Sequence, residues 1–264
     1  MDSDRDFAIH LARQAGELEK QRFQPAGTPA TFKSDRSFVT EVDLAADRLI
    51  AQAIHQHAPG EPLLSEELET GLASLQPAVW IVDPLDGTTN YSLGLHVWGV
   101  SIARLVEGQP VLGVLYFPLL DELYVAERGQ GAYWNGTQMH VRLPDPQQPW
   151  PFFACCSRTH RRYHVSIPYK PRILGSAAYS FCLLARGAAG VAFEATPKVW
   201  DLAAVWLLVQ ESGGMITTLK GEEPFPVTAG RDYARASYPT LAAASSELLA
   251  TSRTQIQTKQ APAG

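Results

Sequence analysis

Cysteine is scarce: the 264 residues include three, Cys155, Cys156 and Cys182, an odd set that excludes a disulfide framework as the source of stability. A surplus of positive charge is also missing. Lys and Arg number 22 against 27 Asp and Glu, a net charge of −5, which argues against general nucleic-acid or membrane-surface binding. No apolar run reaches the length of a bilayer span. The opening Met1-Asp2-Ser3-Asp4-Arg5-Asp6 is too charged for the apolar segment of a secretory signal. Internal repeats and low-complexity tracts are lacking as well. What remains is the expectation of a soluble protein of a reducing compartment, the cytoplasm, with no nucleic-acid or membrane partner. Its length suits one large domain or two smaller ones.

The informative residues concentrate in Val79-Trp80-Ile81-Val82-Asp83-Pro84-Leu85-Asp86-Gly87-Thr88-Thr89-Asn90. The apolar, β-branched start predicts a buried strand. The strand is expected to break at Asp83-Pro84, because proline removes a ladder donor and biases its predecessor to extended geometry. Asp83 and Asp86 then leave one strand end together, and Gly87 with Thr88 and Thr89 opens a short helix. Carboxylates hold a hard cation and a helix N-terminus holds an anion, so the stretch describes a metal beside a phosphate. Asp-Pro and Asp-Gly are also ordinary turn dipeptides, and taken alone they allow a plain strand-ending turn.

Upstream, Phe7, Leu11, Ala15 and Leu18 recur at helical spacing over about 5–23, and the Pro25–Pro29 segment stops that helix. Lys33-Ser34-Asp35-Arg36-Ser37 reads as a polar, mobile loop. Thr40 caps a second helix with Asp43 in its first turn, where a carboxylate complements the helix dipole with or without a further role. Glu66-Glu67 follow a short apolar run, and one of the two can turn inward. Segments 97–105, 111–116 and 123–126, punctuated by Gly and Pro, predict an antiparallel meander. Four prolines between Pro144 and Pro151 mark a connection between an N-terminal half, 1–145, and a C-terminal half, 150–251. The second half carries a basic patch (Arg158, Arg161, Arg162), a helix capped by Ser176 and running to about Arg186, and a strand from Val191 to Glu194. A strongly apolar helix follows. Its expected core stripe is Leu202, Val205, Leu208 and Val209, with Asp201 at the N-cap and Gly213-Gly214 at the end. The polar residues after about Ser252 read as a frayed tail.

Taken together, Glu66-Glu67, Asp83-Pro84-Leu85-Asp86-Gly87-Thr88, and Trp200-Asp201-Leu202-Ala203-Ala204 through Glu211-Ser212-Gly213-Gly214 resemble the signature regions of the inositol monophosphatase family, in their order and at a fitting separation. Val205 stands where that family usually has glycine, and Tyr91 where phenylalanine is common. The resemblance implies a layered α/β/α/β/α sandwich of the inositol monophosphatase and fructose-1,6-bisphosphatase type. It implies a single catalytic domain over 1–264, usually in a homodimer. It also implies hydrolysis of small phosphate monoesters with two or three Mg²⁺ ions per subunit, Mn²⁺ as a substitute and Li⁺ as an inhibitor. Carried across, Glu66, Asp83 and the Leu85 carbonyl hold one ion; Asp83, Asp86 and Asp201 hold a second; Glu66 shares in a third. Lys33, Asp43, Glu66 and Thr88 match positions around the attacking water. Gly87 and Thr88 match the phosphate-binding backbone. Gly175, Ser176, Ala177 and Glu194 match the substrate pocket, which Asp86 and Asp201 border. The implied substrate is myo-inositol monophosphate, with fructose 1,6-bisphosphate, 3′-phosphoadenosine 5′-phosphate and histidinol phosphate as alternatives for the same chemistry.

An all-oxygen carboxylate set suits Mg²⁺ or Mn²⁺, whereas zinc favours histidine or cysteine. Cys156 and Arg162 bracket five residues, the spacing of cysteine phosphatases, but Ser157-Arg158-Thr159-His160-Arg161 lacks the glycine such a tight loop needs. From another functional class, the chain can be read as a metal-binding regulatory protein without catalysis. Thr88 and Asp43 argue against that, since a structural ion needs no water-activating pair.

Overall fold

The strand Val79–Asp86 is buried at every position because both of its faces are covered. Its apolar side chains alternate with the strand period of two. Trp80 and Val82 pack towards one helix layer, Val79 and Ile81 towards another. The computed structural model describes residues 3–33, 38–68, 72, 74–145 and 151–259. In chain order they form α1 (Asp4–Arg22), β1 (Thr31–Phe32), β2 (Phe38–Val39), α2 (Glu41–His57), β3 (Leu63–Ser65), β4 (Val79–Asp86), α3 (Thr88–Ser92), β5 (Gly99–Val106) and β6 (Gln109–Phe117). Then come β7 (Glu122–Glu127), β8 (Gly131–Trp134), β9 (Thr137–Met139), β10 (Phe152–Cys155), α4 (Thr159–Arg162), β11 (Tyr163–Val165), β12 (Pro171–Arg172) and α5 (Ala177–Ala185). The last elements are β13 (Ala189–Glu194), α6 (Val199–Glu211), β14 (Met215–Thr218), β15 (Thr240–Ala243), α7 (Ser246–Thr254) and β16 (Ile256–Thr258).

Strands β3 to β9 form a seven-stranded sheet in sequential order. It is antiparallel except for the parallel pair β3 and β4, so the expected meander is present and extends through β9. A five-stranded sheet has the order β12-β10-β13-β15-β14, with β10 parallel to both of its neighbours. Helices α1 and α2 cover the outer face of the larger sheet, and α5 and α6 fill the space between the two sheets. Helix α7 packs on the far face of the smaller sheet. The layers therefore run α/β/α/β/α.

Helix α6 departs from the expected stripe. Leu202 through Val209 are all buried, because the helix lies between two sheets. Gly113 makes room for it: a Cβ there would stand 2.7 Å from the Ala204 carbonyl oxygen. Val205 is fully buried at the same crossing. Nor does α6 begin at Asp201. It begins at Val199 with Lys198 as N-cap, and Asp201 sits in its first turn, where Oδ2 accepts the Lys198 backbone N–H at 2.6 Å. The expected frayed tail is also corrected. Helix α7 continues to Thr254, and β16 pairs antiparallel with β11 and buries Ile256, the one large apolar side chain in that polar run. Ser34–Ser37 of the predicted loop and residues 146–150 of the proline-rich connection lie outside the described residues.

Glu19 is the anomaly of α1. It is completely buried, and neither carboxylate oxygen has a hydrogen-bond partner among the described residues. Burial, then the charge of Asp43, raises its pKa well above the ordinary glutamate value. The folded state thus keeps a proton that the unfolded state releases. This group's contribution to stability is full below the unfolded value of 4.5 and is lost as pH climbs towards the folded value. Glu19→Met has similar length and removes the orphaned group. It should raise stability at about pH 8 by on the order of 1–3 kcal/mol, the usual penalty of an unpaired buried polar group, with a smaller gain at about pH 5. Denaturant unfolding at both pH values checks this, and an equal effect at both would contradict it.

Candidate active site

Strand register delivers the acids. Ser65 lies opposite Val82 in the parallel β3–β4 pair, and the next backbone N–H, that of Glu66, reaches the Val82 carbonyl at 3.2 Å. Glu66 therefore arrives beside Asp83. Strand β4 does not stop at Asp83-Pro84 as expected. Pairing with β5 is interrupted after Asp83↔Ser101 and resumes at Asp86↔Gly99. Pro84 has no N–H to offer the ladder, and the Leu85 N–H turns to Asp83 Oδ1 at 3.0 Å, so the strand bulges and continues. Gly87 then adopts φ +94°, and a Cβ there would stand 2.9 Å from the Val97 carbonyl oxygen. No other residue fits both demands, and α3 opens immediately after it. Helix α6 brings Asp201 from the opposite layer.

As a result Glu66, Asp83 and Asp201 each offer a carboxylate oxygen within 4.8 Å of the others. Asp86 is not part of that group. Its carboxylate accepts the Ser176 hydroxyl and the Ala177 N–H (3.1 Å) at the start of α5. The Leu85 carbonyl faces the Thr88 hydroxyl at 3.1 Å. Burial first, then the negative neighbours Glu66 and Asp201, push Asp83 well above the carboxylate range. Burial and the Asp86 charge raise Asp201 to about 7. Burial lifts Asp86 to about 6, against the opposing bonds from Ser176 and Ala177. Buried carboxylates that resist ionising together are what a cation relieves. The donor set contains oxygen and neither histidine nor cysteine, so it fits a hard divalent ion.

Beside this group stands the Thr88–Asp43 pair. Asp43 and Thr40 form the capping box of α2: the Thr40 N–H (2.8 Å) and hydroxyl both reach Asp43 Oδ2. Oδ1 is left for the Thr88 hydroxyl, 2.9 Å away. The helix-capping bonds of Asp43 and its bond to Thr88 thus use different oxygens. Burial raises its pKa, opposed by the bonds from Thr40 and Thr88. Lys33 Nζ lies 2.8 Å from Glu66 Oε1 and 2.6 Å from Glu67 Oε1. Burial works against its charge, but the two carboxylates outweigh it and raise the pKa, so Lys33 stays protonated.

Several participants were not foreseen. Glu67 shares Lys33 with Glu66. Asp47, one helical turn after Asp43, accepts the Ser65 hydroxyl and so ties α2 to the strand end that delivers Glu66. The i,i+4 spacing of the two aspartates was the available signal. Asn90 Nδ2 donates at 2.7 Å to the carbonyls of both Val97 and Leu174. Gly175 has φ +79°, and a Cβ there would overlap the Asn90 amide.

A cavity of about 730 Å³ opens next to the acids. The expected pocket residues Gly175, Ser176, Ala177 and Glu194 line it, together with Asp201; Gly87 and Thr88 do not. Glu194 ends β13 and is buried, and burial raises it to about 8 against bonds from Ser180 and Cys156. Cys156 also lines the cavity, but burial and the Glu194 charge raise its thiol pKa, the reverse of what a thiolate nucleophile needs.

The inositol monophosphatase family model matches residues 1–258. The chain belongs to that family. Among its relatives, the fructose-1,6-bisphosphatase/inositol-1-monophosphatase of Thermotoga maritima is 32% identical over 229 residues, covering 83% of this chain and 86% of that protein. The Nus factor SuhB of Salmonella typhimurium is 32% identical over 233 residues, covering 84% of this chain and 87% of that protein. A solved Thermotoga maritima IMPase superposes with a TM-score of 0.75 at 27% identity, covering 94% of this chain and 96% of that one. Membership in the inositol monophosphatase family accounts for the layered fold and makes phosphatase chemistry the frame in which the acids are interpreted.

Proposed function

We propose that the protein hydrolyses small phosphate monoesters with a divalent cation, Mg²⁺ in the cell. Glu66, Asp83 and Asp201 would hold it, with Asp86 and the Leu85 carbonyl completing the set. The observation that carries this is the adjacency of three converging carboxylates to a threonine hydroxyl that donates its hydrogen bond to a fixed aspartate. When bound, such a cation supplies Lewis acidity and lowers the pKa of water. The side chains do the rest. Because Thr88 donates to Asp43, its oxygen keeps a lone pair that can accept a hydrogen bond from the attacking water and orient it. Thr40 holds Asp43 in place, and Lys33 fixes Glu66. Backbone N–H groups at Gly87 and Thr88 would orient the phosphate.

The substrate proposed is a polyol phosphate, with myo-inositol monophosphate as its type. Glu194 on the cavity wall can accept a ring hydroxyl. The test is the ratio of kcat/KM for myo-inositol 1-phosphate to that for p-nitrophenyl phosphate, which has no such hydroxyl. Assayed above about pH 8, where the buried Glu194 ionises, losing a charged hydrogen bond worth about 1.5–3 kcal/mol should lower the ratio roughly 10- to 100-fold in Glu194→Gln. An unchanged ratio would remove Glu194 from the pocket chemistry.

A homodimer in the cytoplasm belongs to the same proposal. Among the described residues no helix is long and apolar enough to cross a membrane. A second reading is a regulatory protein that binds metal without catalysis; the Salmonella relative carries the name Nus factor rather than that of an enzyme. The Thr88–Asp43 bond weighs against it, since holding an ion requires no hydroxyl poised in this way.

A further inference from the structure

The irregular chain 219–239 joins β14 to β15 and is fixed to the core. Tyr233 and Tyr238 are buried in the main apolar cluster, and the Tyr233 hydroxyl accepts the Thr228 N–H at 2.7 Å. Arg231 lies over both rings, 5.5 and 5.6 Å from their centroids, and pairs with Glu222 at 3.0 Å. This loop grips the segment that enters α6. The Tyr238 N–H donates to the Pro197 carbonyl at 2.9 Å. The Lys198 ammonium donates to the Ala234 carbonyl, and the Ala234 N–H is held by Asp232 Oδ1 at 3.1 Å. From the other side Arg158, which lines the cavity with Arg161, donates from Nη1 to Thr196 Oγ1 at 2.9 Å.

Lys198 belongs to both sides of this grip. Its backbone N–H holds Asp201 Oδ2 at 2.6 Å, while its side chain holds the loop. Among the described residues its ammonium has no carboxylate within ion-pairing distance, although Asp201 is only three residues on. A charge directed at a neutral carbonyl contributes geometry rather than neutralisation. We propose that Lys198 is a positioning residue for Asp201: its tie to Ala234 fixes the backbone N–H that aims the carboxylate at the cation. The proposal rests on the cation-binding reading of the acids and deepens it. Groups that orient a ligating carboxylate set the affinity of the site as well as its shape. A direct electrostatic role would have the opposite sign. An ammonium near the acids repels a divalent cation, so its removal alone would tighten binding.

The test is calorimetric titration of Mn²⁺, without substrate, into the full-length wild type, Lys198→Met and Lys198→Arg. Methionine has similar length and no donor, whereas arginine keeps a charged donor. Lys198→Met should bind Mn²⁺ at least about tenfold more weakly, the lower end of what losing an outer partner of a metal ligand costs. Lys198→Arg should stay within a few-fold of the wild type. Lys198→Gln, whose side chain is a bond shorter, loses the same tie and should match Lys198→Met. Unchanged or tighter binding in Lys198→Met overturns the proposal, as does Lys198→Arg binding no better than Lys198→Met. A wild type that takes up no Mn²⁺ defeats the cation reading and this proposal with it. One that takes up Mn²⁺ but releases phosphate from no ester defeats the phosphomonoesterase reading alone, and the binding comparison still decides.

Discussion

Asp83→Asn should abolish turnover while leaving the fold intact. Asp83 lies beside Glu66 through the β3–β4 register and shares a hydrogen bond with Asp201, so it is the carboxylate that links the group. Asparagine keeps its size, and its carbonyl oxygen can still accept the Leu85 N–H. It loses the charge on which cation binding depends. A fall of roughly 10³-fold or more in kcat is expected, about 4 kcal/mol of transition-state stabilisation. Stability should move the other way. The raised pKa of Asp83 means that ionising it in the folded protein is unfavourable above the unfolded carboxylate value. In EDTA at neutral pH the variant should therefore melt at or above the wild-type temperature. A variant that melts lower would be inactive for a structural reason, and retained turnover would remove Asp83 from the chemistry.

Thr88→Ala should lower kcat about 10²- to 10³-fold, within the usual range for an acid–base partner, while the Mg²⁺ concentration for half-maximal rate stays within a few-fold. The hydroxyl faces Asp43 and the Leu85 carbonyl and belongs to none of the three converging carboxylates. Its removal takes away the water's acceptor and leaves the ion's charge partners in place. Thr88→Ser keeps the hydroxyl and should recover most of the rate. A wild-type kcat in Thr88→Ala would end the proposed role.

The two variants probe the part of the site that the sequence spelled out most plainly. Asp83 to Thr88 are contiguous, and a strand, a proline, a glycine and a helix start leave little freedom for where those side chains go. Other features depended on contacts that no local pattern encodes. Asp86 is tied to Ser176 and Ala177, 90 residues away in the case of Ser176. An aspartate at an N-cap and one in the first helical turn look alike in sequence, which is why α6 starts earlier than Asp201 suggested. Apolar residues of the α6 helix were expected to form one stripe, but a helix with sheets on both sides buries every face. The pairing of Asp47 with Ser65 and the placing of Arg158 and Arg161 on the cavity wall follow from the fold alone.

The central claim is that the converging acids exist to hold a catalytic cation. It is tested most directly by phosphate release from myo-inositol 1-phosphate after exhaustive dialysis against EDTA, followed by titration with Mg²⁺. The account predicts no detectable turnover in EDTA and full recovery with Mg²⁺, unaffected by prior alkylation of the thiols. Undiminished activity in EDTA would contradict it.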